Sequence, residues 1–350
     1  MKIIHVVHNY YGFSGASLQA KNLAKEIDIE GGVKQIFVTR KNNIYHESDK
    51  YGFLDEDGVV HIPNGLSRII YFYSLCLKFK PDIVHFHGAD FGLLFVCALL
   101  KIKVYWKSTL LGSDDFSSLI NSRGGMIKRF LLRFISVNNT LSEQIYIINR
   151  KYLPSEKLIT IPNGVSILDD AIIDRKEKIA LIISAIIPRK NIIEGILFFK
   201  KNLEGKGYKL IIVGPSGDDI EGYNGEYAEK CMSFLNDNII YKGYITHSEV
   251  TSLLISANFL IHLSEKEGMP NVVLEALAFG VYPIVGPMGG LASEIITSED
   301  IGFIISNASF FIVEKHEGVN SLGMELINEK YTFKVISRKT RHVYNSLKGL

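Results

Sequence analysis

Cysteine is scarce in this chain of 350 residues. Cys76, Cys97 and Cys231 are far apart and odd in number. They form neither a disulfide framework nor a metal-ligand spacing, so a reducing compartment is expected. Strong charge of one sign is also missing. The 39 basic and 37 acidic side chains leave a net charge of +2, which argues against a dedicated nucleic-acid binder. The longest apolar run of the first half, residues 91–100, is too short to span a bilayer. Met1-Lys2 runs straight into IIHVV, without the length or the small-residue cleavage site of an export signal. A cytoplasmic protein is therefore expected, with attachment to the cytoplasmic face of a membrane left open. The loop at residues 9–17 holds Gly12 and Gly15 but lacks the full G-x-G-x-x-G pattern, so NAD is not expected. No short internal repeat is present.

What the chain does have is a globular composition, 47% hydrophobic and 22% charged. Its length suits two domains. Residues 2–8 (KIIHVVH) read as a parallel-type strand, 9–17 as a glycine loop, 17–27 as a helix and 35–39 as the next strand. That order opens a doubly wound α/β domain. Strands at 82–88 and 103–109 follow, with a helix at 91–100 between them. Residues 126–135 (MIKRFLLRFI) form a basic amphipathic segment carrying Lys128, Arg129 and Arg133. An ordinary covering helix with a solvated basic edge is the better reading, and contact with anionic lipid is the other. Residues 157–165 are a strand closing in a Pro-Asn-Gly turn, and the polar, uneven stretch 166–178 reads as an interdomain linker. The pattern then restarts, with strands at 179–185, 208–217 and 238–245 and a basic helix at the end. The expected division is 1–168 and 169–330, with the basic helix 331–350 after the core of the second domain.

The stretch 261–294 (IHLSEKEGMPNVVLEALAFGVYPIVGPMGGLASE) carries the chemistry. It reads as strand, polar loop, a helix from about Asn271 to Phe279 ending at Gly280, and strand. Pro270 suits the first helical position, where its missing N–H costs nothing. Such a helix start attracts anions through its amides and dipole. Glu267 lies in the loop before it and Glu275 about one and a half turns inside. Carboxylates would repel a phosphate but accept hydroxyls on either side of it. A ligand with a phosphate centre and a polyol at each end, a nucleotide sugar, fits that pattern. A capped crossover helix with two solvated glutamates is the plainer alternative.

Five motifs in order decide between these: the glycine loop near Gly15, PDIVHFHG (81–88), LITIPNGV (158–165), IIPRKN (186–191), and EGMPNVVLEALAFGVYPIVG followed by GG and E. Together they resemble the retaining glycosyltransferases of family 4 (glycosyltransferase group 1), over nearly the whole chain. The resemblance implies the α/β GT-B fold, two Rossmann-like domains facing a central cleft. The C-terminal domain would bind the nucleotide-sugar donor, and the N-terminal one a saccharide or lipid-linked acceptor. It also implies retention of configuration, no metal and no other cofactor, and a place in cell-surface polysaccharide synthesis. Carried onto this chain, Glu267 would contact the donor sugar, Glu275 the ribose, and Lys190 a phosphate. The amides around Gly268, Met269, Asn271 and Val272 would lie near diphosphate or sugar. Gly214, in the loop after Val213, would lie near the base, and Gly15 would belong to the N-terminal glycine loop.

Two departures stand out. Ala185 occupies the place where the family usually has an arginine, so Arg189 beside Lys190 is a candidate to supply that charge. Leu111-Gly112 stands where the family commonly has His-Gly. Cations and a helix start aimed at the departing diphosphate would supply the main catalytic effect. The other function classes are a non-catalytic sugar-nucleotide-binding protein and a glycoside hydrolase using Glu267 and Glu275. Asp114-Asp115 reads as turn or capping residues rather than a metal site. His85 and His87 alternate on one strand and share a face, with no third ligand apparent.

Overall fold

The computed structural model describes residues 1–11, 15–40, 58–167, 177–218, 220–306 and 311–349. Gly12 and most of the expected linker, 168–176, lie outside them. The chain divides into two compact units, Met1–Gly164 with Phe333–Leu350, and Val165–Thr332.

The first unit alternates strand and helix from its start: β1 (Lys2–Val7), α1 (Gly15–Ile29), β2 (Lys34–Arg40), β3 (Val59–Ile62), α2 (Ser67–Phe79), β4 (Ile83–His87), α3 (Phe91–Leu99) and β5 (Lys103–Ser108). It continues with α4 (Phe116–Asn121), α5 (Gly125–Leu132), β6 (Val137–Thr140), α6 (Glu143–Asn149) and β7 (Leu158–Thr160). The sheet order is β3-β2-β1-β4-β5-β6-β7, and every strand pairing in it is parallel. Helices on both faces bury these strands, which is why they read as near-continuous apolar runs. One face packs Val6, Val84, Phe86 and Trp106 under α2, α3 and α5. The other packs Ile3, Ile83 and Tyr105 against Leu23 and Ile27.

The second unit restarts the alternation: β8 (Ile179–Ile183), α7 (Ile192–Asn202), β9 (Lys209–Val213), α8 (Gly225–Met232), β10 (Ile239–Tyr241), α9 (His247–Ser256), β11 (Phe259–His262) and α10 (Asn271–Ala278). It closes with β12 (Tyr282–Val285), α11 (Ala292–Ile295), β13 (Phe303–Ile304) and α12 (Ser321–Lys330). Its sheet order is β10-β9-β8-β11-β12-β13, again parallel. The order reverses between β8 and β11, as it does between β1 and β4 in the first unit. Crevices at the carboxyl ends of open α/β sheets form at such switch points.

The last helix, α13 (Phe333–Lys348), belongs to the first unit. It packs on α1, and Tyr344 is fully buried there with its hydroxyl 2.5 Å from Nδ1 of His85. Gln19 of α1 clamps the end of this unit's continuous stretch. Its amide nitrogen donates to the Gly164 carbonyl at 2.8 Å and its oxygen accepts from the Gly164 N–H at 3.0 Å.

Candidate active site

In the second unit, the loops after β8 and β11 are stitched together at the switch point. The Glu265 N–H donates to the Arg189 carbonyl at 3.0 Å, and Asn191 Nδ2 donates to the Leu263 carbonyl at 3.1 Å. Arg189 Nη1 donates to the Lys266 carbonyl at 2.8 Å. Asn191 takes a left-handed backbone (φ 50°), which turns the chain from the Pro188–Lys190 turn into α7. These contacts carry Lys190 onto Glu267, and the two form an ion pair. His262, at the end of β11, brings Nε2 within 3.2 Å of the same carboxylate. Burial opposes ionisation of Glu267, yet His262 and Lys190 together hold its pKa well below the usual carboxylate range. Glu267 is therefore a permanent carboxylate and has no proton to donate.

Glu275 is the contrast. It sits in the second turn of α10, and burial alone pushes its pKa up to about 7. Among the described residues no cation or hydrogen-bond donor faces its carboxyl group. The helix begins at Asn271, so Pro270 occupies the capping position rather than the first helical one (φ −78°, ψ 88°). No side chain caps this start. Gly268, Met269 and Pro270 are buried beneath it, while Asn271 and Val272 are partly accessible. Gly280, at φ 65°, ends the helix as expected. Gly214 lies at φ 148°, and a Cβ there would overlap the Ser184 carbonyl oxygen, so glycine lets the loops after β8 and β9 touch. Tyr241 donates to its carbonyl at 2.9 Å.

The first unit holds a cavity of about 300 Å³ at its own switch point. His8, Ser17, His87, Gly88, Thr109 and Asp114 contribute to its wall. Gly15 opens α1 one residue before Ala16, which also lines it. Asp114 accepts from the Thr109 and Leu110 amides at 2.7–2.8 Å, and burial still pushes its pKa up to about 6. Asp115 caps α4 through the Ser118 amide at 2.9 Å and also accepts from the Gly112 amide at 2.7 Å. The pair thus serves loop and helix.

The third partner for His85 and His87 is His5, which sequence reading missed. His5 pairs in register with His85, and its Nδ1 lies 3.0 Å from Nε2 of His87. The three rings form the one cluster of metal-ligand type among the described residues. Burial holds all three pKa values low, and on the next strand it lowers that of Lys107 to about 8. Lys107 Nζ donates to Asn163 Oδ1 at 2.8 Å. His262 was also missed. Its only sequence signal is its place at a strand end, two residues before the polar loop.

Residues 167–310 match the family described as glycosyl transferases group 1. Both the β8–β11 switch point and α10 lie inside the matched stretch. Solved structures resemble the whole chain. HepE from Anabaena, in complex with UDP and glucose, is 14% identical with a TM-score of 0.76, covering 99% of this chain and 100% of that one. Sucrose-phosphate synthase from Thermosynechococcus elongatus is 16% identical with a TM-score of 0.75, covering 99% of each. A glycosyltransferase from Rickettsia africae is 16% identical with a TM-score of 0.74, covering 99% and 98%. At these identities the likeness establishes the fold, which is GT-B. The gpi3 subunit of phosphatidylinositol N-acetylglucosaminyltransferase from Schizosaccharomyces pombe is 21% identical over 312 residues. That alignment takes in 81% of this chain and 65% of the relative's length.

Proposed function

We propose that the protein is a retaining glycosyltransferase that moves a hexosyl group from a nucleoside diphosphate sugar to a saccharide or lipid-linked acceptor, in cell-surface polysaccharide synthesis. The observation that carries this reading is the Lys190–Glu267–His262 arrangement beside the uncapped start of α10. In this reading Lys190 exchanges its carboxylate partner for a donor phosphate. Glu267, released but still ionised, accepts hydroxyls of the donor sugar and favours the positive charge that develops on its ring. Lys190, Arg189 and the amides of Gly268, Met269, Asn271 and Val272 meet the charge growing on the departing diphosphate, in place of a metal ion. Glu275 takes the ribose hydroxyls, and the loop at Gly214 lies against the base. Glucose and UDP bound by HepE, and the sugar transfer in the name of the gpi3 subunit, are chemistry of the same class. Turnover of isotope-labelled nucleotide sugars, chosen by thermal shift from UDP-, GDP- and ADP-sugars, tests the proposal. Binding without transfer or hydrolysis would sink it.

A hydrolase reading has one observation in its favour, the divergent ionisation of Glu267 and Glu275. It leaves Lys190 without a task, and cleavage of a simple aryl glycoside in the absence of any nucleotide would be its signature.

The reading includes a membrane surface on the cytoplasmic side. No helix among the described residues is long and apolar enough to cross a bilayer. On α5, however, Met126, Ile127 and Phe130 are 90%, 69% and 50% exposed beside Arg129 and Arg133. α3, which packs on α5, exposes Phe95 and Leu99, and α2, which packs on α3, exposes Ile70 and Leu77. An apolar layer with basic edges suits anionic lipid. Met126→Asp with Ile127→Asp should abolish co-sedimentation with phosphatidylglycerol vesicles while leaving the circular dichroism unchanged.

A further inference from the structure

His87 lines the first unit's cavity, and the groups behind it determine which of its nitrogens carries the proton. The amide nitrogen of Gln35 stands 2.9 Å from the Ala24 carbonyl and 2.7 Å from Asp28 Oδ1. Two acceptors against one terminal atom require that atom to be the NH₂ group. The other atom, Oε1, is then an acceptor, and it lies 2.9 Å from Nε2 of His5. So His5 carries its proton on Nε2. Burial lowers the pKa of His5 to about 4 against the pull of that bond, and the ring is neutral. Its Nδ1 is bare and must accept. The atom facing it at 3.0 Å is Nε2 of His87, which must donate. Burial, and then the neighbouring His5 and Lys107, keep His87 neutral as well. Only Nδ1 of His87 remains. It has no partner among the described residues, yet it is not sealed off like the orphaned Nε2 of His85.

We infer that the Asp28–Gln35–His5–His87 chain fixes His87 in one tautomer, with a bare Nδ1 presented to the cavity as the acceptor for a ligand hydroxyl. Nothing in this chain can be reversed one bond at a time, because the Gln35 amide anchors its direction. The cavity wall around His87 adds His8, Ser17, Thr109 and Asp114, groups suited to a polyol rather than to an apolar ligand. The inference rests on the proposed glycosyltransferase reading in taking that hydroxyl to belong to the sugar acceptor. His87 would then accept that hydroxyl's proton in a hydrogen bond, while Gln35 and His5 act as positioning residues.

Nitrogen-15 NMR of the histidine-labelled full chain reads the tautomers directly. Wild type should show single, protonated-Nε2 forms of His5 and His87. Titration with glycerol, used as a bare hydroxyl probe, should shift His87 Nδ1 and leave His5 and His85 in place. Gln35→Leu, which removes the anchor, should turn His87 into a mixture of both tautomers. A protonated Nδ1 on His87 in wild type, an Nδ1 that stays unmoved in glycerol, or an unchanged single tautomer in Gln35→Leu would each overturn the inference. None of these readouts involves a nucleotide sugar. Failure of donor binding by thermal shift would therefore defeat the proposed function and leave the tautomer result standing.

Discussion

Glu275→Gln should make this protein more stable and a worse binder, in a way that pH controls. Burial lifts the Glu275 pKa from 4.5 to about 7, with no cation to offset it. The folded state therefore holds this proton more tightly than the unfolded chain does. That contribution to stability is complete below about pH 4.5 and is lost as pH rises through about 7. At about 1.36 kcal/mol per pKa unit, the loss is on the order of 3 kcal/mol at most. Glutamine has the same shape and no charge to bury. Urea unfolding should show the two proteins equal near pH 4, with the variant ahead by up to about 3 kcal/mol near pH 8. Taking the difference between the two proteins cancels every other titrating group. Donor affinity should move the other way, because the ionised carboxylate is the better acceptor for ribose hydroxyls. Losing a charged hydrogen bond should weaken binding roughly 10- to 100-fold, read by calorimetry. Equal midpoints at both pH values would refute the burial argument, and unchanged affinity would remove Glu275 from the ribose site.

Three other substitutions probe the same unit. Glu267→Gln should lower transfer of labelled sugar by about 100-fold or more with an unaltered circular dichroism spectrum, and normal turnover would take Glu267 out of the site. Lys190→Ala should weaken nucleoside diphosphate binding by at least about 10-fold in calorimetry, since a charge-assisted contact is lost. Gly214→Ala forces a left-handed backbone and an overlap with the Ser184 carbonyl, and should cost more than about 2 kcal/mol in urea unfolding.

The alternation of strands and helices was legible because both sheets are parallel and covered on both faces, so each strand is an uninterrupted apolar run. The strand expected after the helix is β12 at Tyr282–Val285, and α10 differs from its expected range by one residue at its end. Helix α2 was not foreseen. Leu66 precedes it in the capping position and supplies no side-chain cap, and Ile70 and Leu77 sit on its exposed side, which blurs the helical periodicity. Helix α9 carried a legible signal, the Thr246–Glu249 capping box, that sequence reading left unassigned. Pro270 moved from the first helical position to the cap because the chain bends there before the helical dihedrals begin. The two units meet at 164/165, where Gln19 holds Gly164 in the first unit. Side-chain partnerships were the least legible part. The meeting of Lys190 with Glu267 bridges 77 residues and that of His5 with His87 bridges 82. Only strand order and register bring such pairs together, and one sequence does not state either.

The return of α13 to the first unit has a consequence for how the protein is made. When a ribosome has finished Gly164, the first unit still lacks the helix that supplies Phe333, Ile336 and Tyr344. The face of its sheet that holds His5, His85 and Tyr105 has α1 over it but must wait for α13 through the synthesis of residues 165–332. At about 5–20 residues per second that interval is roughly 8 to 34 seconds. The second unit, Val165–Thr332, is continuous and needs no such later segment.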